Sequence, residues 1–204
     1  MKSKFNRIMF FLGVFLLILV VLSTSSRKKE AGGTMDNIIT LPSLPQPIAM
    51  EVALITSAGQ STDTYIVRDI ANQLMIRNFF MPQAKGADIA DIKTIVFVVG
   101  YSPTGIKLTG TSYLNEKKRV EQLLNESRSK KLAVITVYAG GKERRGEKTD
   151  ELLKLTVADS DYLIATQKAN YDNYLSQLAK NNHIPLTLVN GINDISEPFI
   201  SAFR

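Results

Sequence analysis

From Val52 onward, short apolar runs alternate with segments whose apolar residues recur at helical spacing, and this alternation restricts the possible folds more than any other feature. Val52–Thr56, Thr94–Val99, Leu132–Tyr138, Tyr162–Ala165 and Leu186–Val189 read as strands, and a short strand around Phe79–Met81 completes a first βαβ unit. Their near-continuous hydrophobicity is the pattern of strands covered on both faces. Between them Ile66, Ile70 and Leu74, then Tyr113, Lys117, Val120 and Leu124, then Tyr171, Tyr174, Leu175 and Leu178 recur with helical period. These are half-buried covering helices. Lys117 holds a stripe position in the second, where its aliphatic stem can lie on apolar surface. Ile192, Ile195, Phe199 and Phe203 suggest a last helix, with Pro198 in the first turn after Ser196. The expected architecture is α/β: a three-layer, Rossmann-like or flavodoxin-like sandwich on a mostly parallel sheet, preceded by one N-terminal apolar helix.

The segment before residue 50 has another character. Lys2, Lys4 and Arg7 lead into Ile8–Leu22, an apolar run broken only by Gly13, and Ser23-Thr24-Ser25-Ser26 follows. This is the layout of a signal peptide or a signal anchor. As a helix the run reaches about 22 Å, and about 28 Å counted through Ser26, against a hydrocarbon core of about 30 Å. A retained segment can therefore just span. Cleavage near Ser25 or Ser26 would instead make the protein secreted. Gly32-Gly33, Pro42, Pro45 and Pro47, with little apolar periodicity around them, mark a mobile tether. The expected organisation is residues 1–26 as anchor or signal peptide, 27–49 as tether and 50–204 as the α/β domain. Arg27, Lys28 and Lys29 balance the three leading cations, so charge leaves the orientation open. The usual export arrangement places the domain outside the cytoplasm on a single-pass anchor.

The net charge of +6 suggests nucleic acid until it is divided. Residues 1–49 hold six Lys/Arg and two acids out of 25 and 19 in the whole chain, so the domain itself is nearly balanced. That argues against a general phosphate-backbone binder, and no nucleic-acid partner is expected. The sequence has no cysteine, which excludes disulfides, thiolate metal sites, a cysteine nucleophile and a lipidated cysteine.

In an open parallel sheet the strand-to-helix turns share one edge, and ligands bind there. Four turns should converge: Ser57-Ala58-Gly59-Gln60-Ser61, Gly100-Tyr101-Ser102-Pro103-Thr104-Gly105, Ala139–Gly146 and Thr166-Gln167-Lys168. The candidate ligand-binding residues are Ser57, Gly59, Gln60 and Ser61, then Ser102 and Thr104, then Gly140, Gly141, Arg144 and Arg145. Hydroxyls, amides, exposed backbone N–H groups and guanidinium suit an oxygen-rich anion. Adjacent side chains diverge, so at most one of the two arginines should face a ligand, its neighbour being solvated or paired with an acid such as Glu143 or Glu147. Each turn alone also reads as ordinary turn chemistry, with Ser61 or Thr62 capping a helix from Asp63. Their convergence is what argues for a site.

Several chemistries are excluded. Gly141–Gly146 followed by Glu147-Lys148-Thr149 comes within one residue of G-x-x-x-x-G-K-[ST]. The inserted Glu147 turns Lys148 by about 100° and puts a carboxylate where phosphate would sit. No apolar strand ends in an Asp for magnesium, and the first turn lacks G-x-G-x-x-G, so neither nucleotide hydrolysis nor a dinucleotide is supported and no cofactor is expected. His183 is the one histidine and precedes a strand, on the opposite edge. A Ser57 or Ser102 nucleophile would lack an imidazole base, and carboxylates show no metal-loop spacing, so no metal site is expected.

The strings Thr56-Ser57-Ala58-Gly59-Gln60-Ser61, Gly140-Gly141-x-x-Arg144-Arg145-Gly146, Ser160-Asp161-Tyr162-Leu163-Ile164 and Ile184-Pro185-Leu186-Thr187-Leu188-Val189 resemble a bacterial family of exported proteins carrying a domain of unknown function. The resemblance runs from about Glu51 to Phe203 and implies export and an α/β domain, with no activity attached. The leading expectation is a membrane-tethered or secreted extracytoplasmic domain that binds a small anionic molecule, a carboxylate or phosphorylated metabolite. Its role would be sensing, scaffolding or delivery to a membrane-protein partner. The alternatives are an enzyme, a hydrolase or transferase using Ser57, Ser102 or Asp63 in the same crevice, and a structural cell-envelope module without a ligand.

Overall fold

Six runs of β-branched and aromatic residues form one parallel sheet in the computed structural model, which describes residues 42–204. The strands are β1 (Ala53–Ala58), β2 (Asn78–Phe80), β3 (Thr94–Val99), β4 (Ala133–Tyr138), β5 (Tyr162–Thr166) and β6 (Leu186–Val189). They lie in the order β2-β1-β3-β4-β5-β6, each pair parallel. β1 and β3 are buried along their whole length, as their unbroken apolar sequences demand. The N-terminal apolar helix expected at residues 8–22 lies outside the described residues.

Between the strands run α1 (Asp63–Gln73), α2 (Pro103–Leu108), α3 (Tyr113–Ser129), α4 (Glu147–Val157), α5 (Tyr174–Asn181) and α6 (Ser196–Ser201). Alternate strand residues serve two cores. On one face Ile55, Val96, Val98 and Ile164 pack with Val67 and Ala71 of α1 and Phe199 of α6. On the other Leu54, Phe97, Val99 and Leu163 pack with Val120 and Leu124 of α3, Leu152 and Leu153 of α4 and Leu175 of α5. The result is the three-layer, Rossmann-like α/β fold, with β2 a three-residue edge strand. Lys117 lies partly buried and pairs with Glu151 of α4 at 2.5 Å.

Residues 44–49, expected as the end of a tether, are docked on the domain. Leu44 and Ala49 are buried in the α1/α6 core. The Leu44 amide donates to Ser201 Oγ at 3.0 Å, and the Ile48 and Ala49 amides share the Ala202 carbonyl at 2.9 and 2.8 Å. Packing therefore begins upstream of residue 50. Pro45 and Pro47 lack an N–H, so the segment is fixed through those amides and that of Met50, which donates to Thr94 Oγ1 at 3.0 Å.

α1, α3 and α5 end alike, each with a residue in the left-handed region: Met75 at φ 56°, Lys131 at 55° and His183 at 56°. In each the following amide (Ile76, Leu132, Ile184) bonds back to the carbonyl five residues earlier. This is the Schellman closure, usually made with glycine. Here the position carries a side chain three times, and all three side chains are exposed on the edge where strands begin.

Candidate functional site

β2 lies on one side of β1 and β3 on the other, so the chain reverses direction between the carboxyl ends of β1 and β3. That reversal opens the crevice in which α/β sheets bind ligands.

The turn after β1 is shaped by two left-handed residues. Gly59 has φ 107°, and a Cβ there would stand 2.5 Å from the Gly100 carbonyl oxygen, so only glycine lets the turns after β1 and β3 approach this closely. Gln60 has φ 59°, and its buried amide donates to Glu116 Oε1 at 3.0 Å and to the Pro82 carbonyl at 3.2 Å. Glu116 also accepts from the Gly59 amide at 2.9 Å. Its charge is matched by Arg119, whose Nε and Nη2 reach the carboxylate at 2.9 and 2.8 Å and which also donates to the Ser57 and Ala84 carbonyls. Gln60 and Gly59 thus build the turn, and a buried ion pair from α3 fastens it.

Next in sequence comes a charged cluster. Ser61 Oγ accepts from the Asp63 amide at 3.2 Å, doing the N-capping work for α1. Asp63 is the first helical residue, with its side chain 3% exposed. Arg144, from the turn after β4, reaches across to donate from Nη1 to Asp63 Oδ1 at 2.5 Å and from Nη2 to Ser61 Oγ at 2.7 Å. Two features leave this centre unfinished. Asp63 Oδ2 is buried without a hydrogen-bond partner, as is Ser57 Oγ in β1. Arg144 is 43% exposed and, among the described residues, uses two of its five N–H donors. Gly100 lies against the centre, where a Cβ would sit 3.0 Å from Ser61 Oγ and 3.7 Å from Asp63 Oδ2.

Arg145 is built differently. Its side chain is 3% exposed, and all five donors are taken by Asp150, Asp172 and the Ala169 carbonyl. Its guanidinium carbon lies 4.7 Å from the Tyr174 ring centroid and 5.7 Å from that of Tyr171. Burial works against the charge, yet the two aspartates outweigh it and raise the arginine's already high pKa. Its partners are Asp150 and Asp172, not Glu143 or Glu147, because Asp150 stands one helical turn into α4 and Asp172 is carried in by the turn after β5.

The other candidates are placed as follows. Ser102 caps α2, accepting from the Gly105 amide at 3.0 Å. Thr104 is exposed on α2. The Gly140 carbonyl accepts from Thr166 Oγ1 at 2.6 Å and that of Gly141 from the Tyr138 hydroxyl at 3.2 Å. Burial pushes the Tyr138 phenol above its ordinary pKa. Lys148, of the near phosphate-loop pattern, lies over the Tyr101 and Tyr113 rings at 4.6 and 5.1 Å. It serves as a cation on an aromatic pair.

A cleft of about 550 Å³ adjoins the centre, its lining including Gln60, Ser61, Pro82, Asp88, Gly105 and Leu108. Tyr65 and Met81 keep apolar surface at its rim. Ser61 belongs to both cleft and charged centre. In the sequence Asp63 reads only as a helix start and an alternative catalytic acid, and Glu116 does not stand out at all. The available signal for Glu116 is a carboxylate one turn before Val120 on the buried stripe of α3.

The fold and this crevice define a Rossmann-like α/β domain with a ligand-sized opening at its switch point. Residues 50–203 match the family described as Domain of unknown function (DUF6305), and the chain belongs to that family. No functionally curated protein matches the sequence. Among solved structures, a chain titled as a mutant of "Esterase AlinE4" aligns with 71% of this chain and 77% of its own at 11% identity, with a TM-score of 0.27, too low to bear on fold or activity.

Proposed function

We propose that this protein is an extracytoplasmic α/β domain, tethered by its N-terminal apolar segment, that binds a small molecule carrying both an anionic group and a hydroxyl or amine donor. The supporting observation is the unfinished charged centre, in which Asp63 Oδ2 is buried and unpartnered beside an Arg144 with three unused donors. An unpaired buried acceptor costs about 1–3 kcal/mol, more when charged, so a ligand donor that satisfies it is favoured. A plain anion would meet Arg144 already neutralised by Asp63. A hydroxy acid answers both, its carboxylate or phosphate on the free guanidinium donors and its hydroxyl on Asp63. The role is sensing or delivery rather than turnover, since Ser61 hydrogen-bonds Arg144 and has no imidazole near it among the described residues.

Thermal shift and calorimetric titration with glycerate, lactate, 3-phosphoglycerate and inorganic phosphate test the reading. Hydroxy acids should raise the melting temperature, since a ligand of the native state stabilises it by mass action. Arg144→Ala and Asp63→Asn should each weaken binding at least tenfold, about 1.4 kcal/mol. Equal binding of phosphate by both variants and by the wild type would remove the centre from the proposal.

A further inference from the structure

The edge where the strands begin, opposite the crevice, holds a second cleft of about 620 Å³, whose walls include Ile48, Met50, Lys93, Arg128, Lys131 and Leu132. We propose that this edge docks on an anionic lipid surface, with phosphate headgroups at the lysines and the exposed apolar side chains entering the headgroup boundary. The proposal rests on the membrane-tethered reading above.

Charge complementarity supports it. Lys93, Lys130 and Lys131 stand exposed at the bases of β3 and β4. Of the acids on this edge, Glu51 is engaged by Arg77 and Arg204, Asp159 by Arg128, and Asp161 accepts from the Val134 amide at 2.8 Å. Asp161 and Asp91 have no cationic partner among the described residues, but the three lysines with Arg77, Arg128 and Arg204 outnumber Glu51, Asp91, Asp159 and Asp161, which leaves these groups with a positive excess. Polybasic surfaces of this kind are drawn to anionic leaflets.

Three of the exposed large apolar side chains lie on the same edge as these cations. Met75 is 78% exposed, Met50 65% and Ile48 39%. Met75, Lys131 and His183 occupy the three left-handed helix ends, where glycine would be free of steric cost. The sequence instead places a thioether, an ammonium and an imidazole there. An apolar and cationic mixture is what an interfacial surface requires.

The route of the chain is the third support. Residues 42–50 dock beside the end of α6, so the polypeptide joins the domain at this edge. The nineteen residues Ser23–Leu41 separate Ile8–Leu22 from that point and can extend at most about 65 Å. With the edge on the bilayer, the crevice at the other end of the sheet faces away from it.

The absence of cysteine makes site-specific labelling clean. The full-length chain, carrying Met75→Cys or Lys107→Cys with an environment-sensitive fluorophore, is mixed with vesicles of phosphatidylcholine, with or without phosphatidylglycerol, containing quencher-bearing lipid. Lys107 lies on α2 at the far edge. The expected result is several-fold stronger quenching at position 75 than at 107, only in phosphatidylglycerol vesicles, and reversed by high salt or by Lys93→Gln/Lys130→Gln/Lys131→Gln. Equal quenching at the two positions, or none, would overturn the proposal. Flotation reports the tether separately: a chain floating with pure phosphatidylcholine but unquenched at 75 keeps the tether and loses the docking edge. A chain that floats only with phosphatidylglycerol and is quenched at 75 keeps the edge and loses the tether.

Discussion

Arg144 and Arg145 are chemically identical neighbours with opposite fates. The guanidinium of Arg145 is buried, stacked against tyrosines and fully bonded, so it holds α4 to the turn after β5. Truncating one partner of a buried ion pair leaves an uncompensated charge, which typically costs about 3–5 kcal/mol. Arg145→Ala should therefore lower the unfolding free energy by about that amount in urea denaturation, and Arg144→Ala by clearly less, because the half-exposed Arg144 site lets water reach the buried Asp63 carboxylate that is left behind. Similar losses in both would contradict this division. The sequence shows that adjacent side chains diverge but not which one turns inward. That is decided by Asp150 and Asp172, five and twenty-seven residues away.

Among elements, the strands and helices were legible because burial on both faces leaves unbroken apolar runs, and because α3 keeps its stripe and α5 keeps Leu175 and Leu178 of its own, although Tyr171 lies before α5 and is exposed. What was illegible depends on contacts without periodicity. The segment around Leu44 reads as linker because prolines interrupt it, yet backbone amides and one leucine dock it on α6. Leu44→Ala should cost about 2 kcal/mol, the lower end for a leucine at the core margin, and lower the melting temperature by several degrees. An unchanged melting temperature would make the segment a bystander. A second link joins α3 to α4, where Glu151 accepts from Lys117 and Tyr113. The hydrogen bond from Lys117, seconded by Tyr113, holds the Glu151 pKa below the usual carboxylate value. Its contribution is complete above the unfolded value of about 4.3 and is lost as pH falls through the lower folded value. Glu151→Gln should thus be less stable than wild type near neutrality, the gap closing on acidification below about pH 4. Urea midpoints across the acid to neutral range measure it, and a gap independent of pH would contradict the pairing.

For the whole molecule, the gathering of the turns after β1, β3, β4 and β5 on the carboxyl edge of the sheet was readable, since parallel topology alone puts them together. The division of labour among those turns was not readable. Gln60 points inward because its left-handed backbone and the Glu116 carboxylate hold it there. Ser102 is occupied by α2, and the glycines at 140 and 141 present carbonyls that Thr166 and Tyr138 already use. The proposed ligand is thereby left with Asp63 and Arg144 and with Ser61, the one of the three that lines the cleft. Hydrogen–deuterium exchange of the full chain with and without glycerate probes that division of the turns. Protection should be confined to residues 59–63, 100–102 and 141–145, and abolished by Arg144→Ala. Protection elsewhere, or the same protection in that variant, would contradict it.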